Sequence, residues 1–557
     1  MLEVKTLETD ILIIGGGTAG CWAAINIAEN SNKDIIIAEK ANIKRGGCLA
    51  AGVNALNAYI NEGQTVDSFT DYVRDEFEGI VREDLVYTIA KGLNKSADKL
   101  HEMGLPILKD ENGKYASRGK RSIKINGEGI KPLIAGKVLE HKNIRVIERI
   151  NITDYIVKNG EVIGAYGFSL DKEEFYVIYS KATICATGGA AGIYKPNNSG
   201  QSPHKMWYSP FNTGAGLAMG IRAGAEMTSF EMRFIALRCK DTIAPTGTVA
   251  QGVKTPHINA KGEEYLEKYG YKTHLRLYGT VMENINGNGP CYLKTEGISE
   301  ESENQLFKAY LNMAPAQALR WMDSKKMPSE NNIEIEGTEP YIVGGHSLSG
   351  YWVDTDRRST LKGLFVAGDV AGGAPKKYVT GCFVEGEIVA EESLKYIENK
   401  SLEKLDSKII EEKKNEVEKY FNGDSVYSIN SIEEAMQKVM DEYAGGISSG
   451  YGYNMEGLEI AESRISRLLE LSKDLKCNDM HELLFIHEVI DRLLIAKVLI
   501  KHMQERKETR LRCYCENQSY KEKDDVNYKK YVNSVFDGKD IKITLRDIVE
   551  RGQVYEH

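Results

Sequence analysis

The sequence predicts an α/β fold: a Rossmann-like domain interrupted by an inserted capping domain and followed by a C-terminal helical domain. Three observations indicate this. A short apolar run, Ile11–Ile14, leads through glycines into a helical segment. From about residue 235 the chain is interrupted by Pro and Gly residues, and the earlier pattern of short apolar runs and glycine-rich turns returns at 342. From about residue 402 the chain is charged and has helical periodicity.

These changes predict the domain boundaries. The Rossmann-like domain takes residues 1–234 and 342–401, the capping domain takes 235–341, and the C-terminal helical domain takes 402–557. Its last part, roughly 513–557, is polar and is expected to be an extended arm.

The N-terminal stretch carries the strongest motif. Gly15, Gly17 and Gly20 form G-x-G-x-x-G between a strand and a small-residue helix. A second strand, Ile35–Ala38, then ends at Glu39. Such glycines let backbone N–H groups approach a pyrophosphate at a helix N-terminus, and the acid accepts hydrogen bonds from a ribose. The motif predicts an adenine dinucleotide (NAD, NADP or FAD), whereas an ordinary strand–helix turn would leave Glu39 unexplained.

Length, charge and hydropathy narrow the function class. With 557 residues the chain is long enough for several domains. The net charge of −9 argues against a nucleic-acid scaffold. No apolar run is long enough to span a bilayer, and the N-terminus shows no apolar signal segment, so we expect a cytoplasmic protein without a transmembrane segment.

The cysteines show no metal-binding pattern. There are nine, and only Cys513 and Cys515 are close together. No set of four has the spacing of an iron–sulfur or zinc site. We therefore expect reduced, mostly buried thiols and no metal in this chain, and any iron–sulfur cluster would belong to another chain.

The remaining segments predict further elements. A glycine-rich loop, RGGCLAAG, spans 45–52, and residues 67–104 form two amphipathic helices. Segments 145–155 and 162–168 read as strands of a small inserted sheet, and a helix is expected near 301–326. In the long apolar helix 481–503, His481 and His487 are expected to be solvated or capping residues, as is His502.

Several motifs in order carry a family resemblance. The dinucleotide motif, ATGG at 186–189 and GLFVAGD at 363–369 together resemble the fumarate reductase/succinate dehydrogenase flavoprotein family. Within it, WYSPFNTG at 207–214 and GGHSLSGYWVDT at 344–355 resemble the alpha subunits of adenylylsulfate reductases. The similarity runs from the first strand almost to the C-terminus.

The resemblance implies a cofactor and a reaction. The cofactor would be FAD, and the reaction would be the reversible reduction of adenylylsulfate to sulfite and AMP. In that family reduced FAD attacks the sulfur through its N5 atom, AMP leaves, and the flavin–sulfite adduct then breaks down. A small ferredoxin-like iron–sulfur beta subunit would supply the electrons.

The resemblance also implies roles for individual residues. Asn57, Arg238 and His346 match catalytic positions near the flavin and the sulfate. Trp207, Arg276 and Glu128 match substrate-binding positions. The cofactor-binding positions are Gly15, Gly16, Gly17, Thr18, Ala19, Gly20, Glu39, Lys40, Gly46, Gly47, Cys48, Ala186, Thr187, Gly188, Gly368, Asp369 and Thr380, with Asp369 on the ribitol.

Residue type alone favours less specific interpretations. A lone arginine such as Arg238 is usually a surface or ion-pair residue, and Arg233 competes for the same anion contact. Trp207 could belong to the core, and Asn57 could satisfy a local turn.

Departures from the family pattern bear on the alternatives. RGGCLAAG contains no histidine, so FAD is expected to be non-covalent. Thr213–Gly216 reads TGAG and lacks the aspartate that many relatives carry, which disfavours a dicarboxylate substrate. Two alternatives remain open: a soluble fumarate reductase or L-aspartate oxidase, and a non-catalytic FAD electron-transfer module.

Overall fold

A seven-stranded sheet is the centre of the molecule. The computed structural model describes residues 1–246, 253, 255–553 and 555–557. Five strands of this sheet are parallel, in the order Ile144–Ile147, Ile35–Ala38, Glu3–Ile14, Glu174–Cys185 and Leu364–Val366. The parallel register pairs Ile11 with Ile35 and Ile14 with Cys185. The α/β fold that the sequence predicts is confirmed.

The first strand explains why both faces of the sheet are covered. Ile11 and Ile13 belong to one core cluster, and Leu12 and Ile14 belong to the other. Successive side chains of a strand point to opposite faces, so an unbroken apolar run is required where helices pack on both sides. One cluster receives Trp22 from the helix Thr18–Asn30 and other helices of the same domain.

The predicted small inserted sheet is wrong. Ile150–Lys158, Glu161–Ser169 and Glu174–Cys185 form an antiparallel meander that continues the main sheet. The run expected over 145–155 is divided because Arg149 has a positive φ of 58°. Its first part therefore pairs as a parallel strand at the opposite edge.

The capping segment is a smaller α/β unit. Its antiparallel sheet has the order Leu237–Cys239, Ile333–Gly337, Cys291–Leu293 and His257–Ile258. Tyr310 and Trp321 fill its core beside Cys239. Phe234 and Tyr341 exchange two backbone hydrogen bonds, which brings the two ends of this segment together.

The helices of the described residues have the following bounds. Thr18–Asn30, Val66–Glu76, Glu83–Glu102, Ile130–Glu140, Ala215–Ala223 and Tyr378–Ile397 belong to the main α/β region. Leu266–Tyr269, Thr273–Ile285, Glu300–Met313 and Pro315–Ser324 belong to the capping segment. Ser407–Glu418, Ile429–Tyr443, Met455–Ser472 and Met480–Glu505 follow.

The C-terminal segment folds back onto the rest of the chain. Lys530–Phe536 and Ile541–Asp547 form a hairpin that joins Met227–Thr228 and Gly350–Tyr351 in one sheet. Tyr531 is buried and donates a hydrogen bond to the carbonyl of Val81. The residues expected to form an extended arm therefore contribute core contacts.

One histidine expected to be solvated is buried. His502 is fully buried, and its ring bonds the hydroxyl of Ser534 and faces Glu231. The prediction for this residue was wrong, because the hairpin that covers it lies far away in the sequence. Two short strand pairs complete the fold: Val53–Leu56 with Ile123–Gly127, and Gly452–Tyr453 with Glu516–Asn517.

Candidate active site

Two adjoining cavities run from the main sheet to the capping segment. The larger has a volume of about 940 Å³ and the smaller about 150 Å³. Both are lined by Thr18, Cys48, Tyr208, Asp369 and Cys382, so they form one elongated trough. The combined size suits a cofactor together with a small substrate.

The smaller cavity lies at the N-terminus of the helix Thr18–Asn30. Gly17 precedes this helix, and no side chain caps it. A Cβ on Gly15 would lie 2.6 Å from the carbonyl oxygen of Ala186, and one on Gly20 would lie 2.0 Å from that of Gly15. Only glycine fits at these two positions, and uncapped N–H groups at a helix start attract an anion.

Glu39 closes the glycine loop. Its carboxylate accepts hydrogen bonds from the backbone N–H of Gly16 (2.7 Å) and of Ala41 (2.8 Å). A Cβ on Gly46 would lie 2.9 Å from the same carboxylate, so this glycine is also required by packing. Glu39 is buried and lies at the wall of the smaller cavity.

Other predicted cofactor residues line the same cavity. The ammonium group of Lys40 donates to the carbonyl of Phe211 and pairs with Glu488, both at 2.7 Å. A Cβ on Gly47 would come within 3.6 Å of the Cα of Gly17, so the two glycine segments meet here. The further lining residues include Thr18, Ala19, Cys48, Ala186, Thr187, Gly188 and Gly368.

A buried ionic network holds the turn before Asp369. Lys377 donates to the carbonyls of Gly368 (2.9 Å) and Ala371 (2.8 Å) and pairs with Glu385 at 3.0 Å. Glu385 in turn accepts from the N–H of Gly368 and pairs with Arg357. All three charged side chains are fully buried, so this turn has little freedom to move.

Asp369 lies where the two cavities meet. Its carboxylate accepts a 2.9 Å hydrogen bond from the hydroxyl of Tyr208, which itself accepts one from the N–H of Gly189. A Cβ on Gly345 would lie 1.8 Å from the same carboxylate. Gly345 therefore allows the segment that carries His346 to pass directly against Asp369.

An aromatic wall surrounds His346 in the larger cavity. The ring centroids of Trp207 and Phe234 lie 5.0 and 4.8 Å from that of the imidazole. Burial lowers the pKa of His346 to about 4, the carboxylate of Asp369 opposes this shift, and the cation of Lys376 adds to it. His346 is consequently neutral at neutral pH and offers one donor and one acceptor nitrogen.

Asn57 faces the larger cavity beside an arginine. The amide oxygen of Asn57 accepts from the guanidinium of Arg118 (2.7 Å) and from the hydroxyl of Ser122 (3.4 Å). Two donors on the oxygen fix the orientation of the amide. Its nitrogen is left to donate to a molecule in the cavity.

Two further cations lie over one tyrosine. The guanidinium carbon of Arg121 is 4.0 Å from the ring centroid of Tyr72, and the ammonium of Lys376 is 5.9 Å from it. Lys376 also pairs with Glu76 at 3.0 Å and donates to the hydroxyl of Thr273. Although burial opposes it, this cation lowers the pKa of Glu76 to about 2.

The capping segment supplies the outer wall. Arg276, a predicted substrate-binding residue, lines the larger cavity. Beside it, burial and the charge of Arg276 lower the pKa of His257 to about 3. Both ring nitrogens of His257 and the hydroxyl of Thr255 are buried without a partner in the described part of the chain.

The prediction that Arg238 faces the substrate is not supported by the geometry. Its guanidinium is fully buried, donates to the carbonyls of Lys205, Thr242 and Asn197, and pairs with Glu336 at 3.1 Å. Ala236 and Leu237 line the cavity, whereas Arg238 does not. Its guanidinium is held away from the cavity by these acceptors, which come from other segments of the chain.

Three other candidate residues do not line either cavity. Glu128 is exposed, follows the strand Ile123–Gly127 and does not line either cavity. Thr380 is fully buried and is absent from both cavity walls. Arg233, the competing candidate, is fully buried and donates to backbone carbonyls, including those of Ala444 and Tyr514.

Three cations of the cavity wall were not predicted. Arg118 and Arg121 belong to a basic run, RGKR at 118–121, and Lys376 belongs to the pair KK at 376–377. The basic run directly before a strand was a usable signal. Nothing in the sequence showed that it lines the same cavity as His346.

Comparisons with known proteins agree with this architecture. A family model described as "FAD binding domain" matches residues 10–382. The adenylylsulfate reductase subunit alpha of Megalodesulfovibrio gigas is 29% identical, over 95% of this chain and 93% of that protein. The structure of adenylylsulfate reductase from Archaeoglobus fulgidus is 33% identical, covers 100% of this chain and 98% of that one, and superposes with a TM-score of 0.94.

The chain belongs to the adenylylsulfate reductase family of FAD-binding proteins. A structure of adenosine-5-phosphosulfate reductase in complex with sulfite, as a covalent adduct, matches this chain equally well, with 33% identity and a TM-score of 0.94. The family resemblance that the sequence motifs carry is therefore confirmed.

The trough fits the cofactor of this family. The uncapped helix start at Gly17 suits the pyrophosphate of FAD, Glu39 lies where its adenosine ribose would bind, and Asp369 lies between that end and the aromatic wall. The glycines at 15, 17 and 47 leave the backbone open to such a ligand.

The described residues contain neither a metal-binding group nor a membrane-spanning helix. No group of three or more His, Cys, Asp or Glu side chains there could hold a metal ion. Within the same residues, no helix is both long and apolar enough to cross a membrane.

Proposed function

We propose that this chain is the FAD-carrying subunit that reduces adenylylsulfate to sulfite and AMP, in a reversible reaction. The full-length likeness to adenylylsulfate reductases supports the reaction. For this chain, the observation that supports the reaction is that Asn57, Trp207 and His346 line one cavity together with Asp369. When bound, FAD supplies the two electrons.

The bond changes define what the residues must do. The bond between sulfur and the bridging oxygen breaks, the sulfur accepts two electrons, and AMP leaves with that oxygen. Negative charge therefore grows on the phosphate of AMP and on the released sulfite. Donors fixed before the reaction stabilise such charge most effectively.

The chain offers two fixed neutral donors at this place. The amide nitrogen of Asn57 can donate because Arg118 and Ser122 occupy its oxygen. His346 can donate one ring N–H while remaining uncharged, since its pKa is about 4. Trp207 and Phe234 pack against His346, and a bound substrate that displaces water from this apolar surface would strengthen both hydrogen bonds.

The outer wall suits the nucleotide. We assign Arg276 to the AMP half, because it lines the cavity from the capping segment. We assign neither Arg238 nor Glu128 to the substrate, because the first is engaged by backbone carbonyls and the second is exposed outside the cavity.

The chain works with a partner beta subunit, as the family relationship to an alpha subunit implies. We propose that this partner is a small ferredoxin-like protein whose iron–sulfur clusters pass electrons to FAD. We also propose that the protein works in the cytoplasm. The nine cysteines are all free thiols, which suits a reducing compartment.

An AMP-dependent assay tests the proposal. The FAD-loaded chain, purified with its partner, should oxidise sulfite with an artificial electron acceptor only when AMP is present. A soluble fumarate reductase or L-aspartate oxidase would instead act on dicarboxylates and ignore AMP. A non-catalytic electron-transfer module would turn over neither set of substrates.

A further inference from the structure

The larger cavity holds more positive charge than the proposed roles use. Arg118, Arg121 and Lys376 line it, and Arg118 contacts Asn57. Glu76 pairs with Lys376 at 3.0 Å. No carboxylate in the described part of the chain forms an ion pair with either arginine, so the four side chains together carry a net charge of +2.

Both arginines are only partly satisfied. The residue Arg118 is 9% exposed, and its guanidinium has only amide oxygens as acceptors, those of Asn54 and Asn57. The Nε atoms of Arg118 and Arg121 are buried and have no partner among the residues that the structure describes. Burying a cation without an opposite charge is costly, and such groups are normally completed by a ligand or an ion.

The three cations converge from different parts of the chain. Arg118 and Arg121 lie on the loop before Ile123–Gly127, and Lys376 precedes the helix Tyr378–Ile397. The ring of Tyr72 brings Arg121 and Lys376 together, since both cations lie within 6 Å of its centroid. The site is thus built by tertiary packing and is not a run of exposed charge.

We propose that Arg118, Arg121 and Lys376 form the subsite that binds the two negative charges of the sulfuryl–phosphoryl group of adenylylsulfate. The substrate carries one charge on the sulfuryl and one on the phosphoryl group, which matches the net charge of the four side chains. These cations take the position that family resemblance gave to Arg238. The identity of the ligand rests on the proposed function.

Arg118 has a second, positioning role. By donating to the oxygen of Asn57 at 2.7 Å it also orients the amide N–H groups that face the substrate. Loss of the guanidinium should therefore weaken binding and lower kcat together, whereas a lysine should restore the charge but only part of the orientation.

The test is the binding of adenylylsulfate to the FAD-loaded, oxidised protein, measured by titration calorimetry in low and high salt. Arg118→Gln and Arg121→Gln should each raise the Kd about tenfold or more and reduce its salt dependence, with unchanged FAD content. Arg118→Lys should recover part of the affinity. Arg145→Gln, an exposed arginine on the strand Ile144–Ile147, is the matched control and should bind like the wild type.

The outcomes separate the two proposals. Glutamine variants that bind within twofold of the wild type, while the wild type turns over adenylylsulfate, would overturn the subsite and leave the function intact. A wild-type protein that does not bind adenylylsulfate would overturn both. If Arg118→Gln does not fold, Arg118→Lys and Arg121→Gln decide the matter, because each is still expected to bind several-fold more weakly.

Discussion

Gly345→Ala should weaken FAD binding while the fold survives. An added Cβ would lie 1.8 Å from the carboxylate oxygen of Asp369, whereas an ordinary contact needs about 3.4 Å. The backbone of Gly345 has no positive φ, so alanine is tolerated there except for this contact. The carboxylate must therefore move by about 1.6 Å.

That movement has a definite cost. The displaced carboxylate could no longer accept a hydrogen bond from a ribitol hydroxyl placed for its present position, and such a bond to a charged group contributes roughly 1.5–3 kcal/mol. If Asp369 binds the ribitol from this position, the Kd for FAD should rise about tenfold to 150-fold. The turn itself is held by Lys377 and Glu385, so the free energy of unfolding should change much less than the free energy of FAD binding.

The assay is equilibrium titration of the apoprotein with FAD, followed by the quenching of flavin fluorescence. Gly136→Ala is the matched control, because an added Cβ there meets nothing within 4 Å in the middle of the helix Ile130–Glu140. It should bind FAD normally and be slightly more stable. A Gly345→Ala protein with wild-type affinity for FAD would refute the placement of Asp369 in the cofactor site.

Three further predictions use other parts of the site. Tyr208→Phe removes the donor to Asp369 and should raise the Kd for FAD about tenfold in the same titration, with Tyr427→Phe, exposed and outside both cavity walls, as a control. Glu385→Gln leaves Lys377 and Arg357 buried without their carboxylate and should lower the free energy of unfolding by about 3–5 kcal/mol in urea. Glu391→Gln, on the exposed side of the same helix, should change it by less than about 1 kcal/mol, and equal effects would contradict the network. The folded pKa of His346 is about 4, below the ordinary value of 6.5, so the unfolded chain binds more protons between these values. The free energy of unfolding should fall as the pH drops from about 6.5 toward 4, and His346→Phe should reduce that slope in urea denaturation measured across this range. An unchanged slope would show that the pKa of His346 is not lowered in the folded protein.

The sequence predicted the parts of the site that depend on local order. The glycines at 15, 17 and 20, and the acids Glu39 and Asp369, stand next to strands whose apolar runs are unambiguous. Parallel strands bring their carboxyl ends to one edge, so these residues meet at the trough without further information. His346, Trp207 and Asn57 were placed by motifs, and they line the same cavity.

The sequence could not show the direction of side chains in the short strands and loops. Arg238 was assigned from its motif, but the acceptors that hold its guanidinium, on Lys205, Asn197 and Glu336, come from other segments of the chain and leave no local pattern. Glu128 was assigned from its motif, but its side chain is exposed and does not line the cavity. Arg118 and Arg121 lie on the loop before the strand Ile123–Gly127, and pairing of that strand with Val53–Leu56 directs the loop to the cavity.

The sequence also did not predict how the C-terminal segment packs against distant parts of the chain. His502 and the residues after 513 read as polar, yet the hairpin Lys530–Phe536 and Ile541–Asp547 is held by partners far away in the sequence. Glu226, for example, accepts hydrogen bonds from Asn533 and Arg546. Ionic partners separated by hundreds of residues leave no local pattern.

A single-turnover experiment tests directly whether the FAD-loaded chain reduces adenylylsulfate. The FAD-loaded chain is reduced with titanium(III) citrate, mixed with adenylylsulfate, and quenched, and AMP and sulfite are quantified by chromatography. We expect one AMP and one sulfite for each FAD that is reoxidised, and no reoxidation by fumarate. Reoxidation by fumarate without AMP formation, or no reaction with adenylylsulfate, would contradict the proposed function.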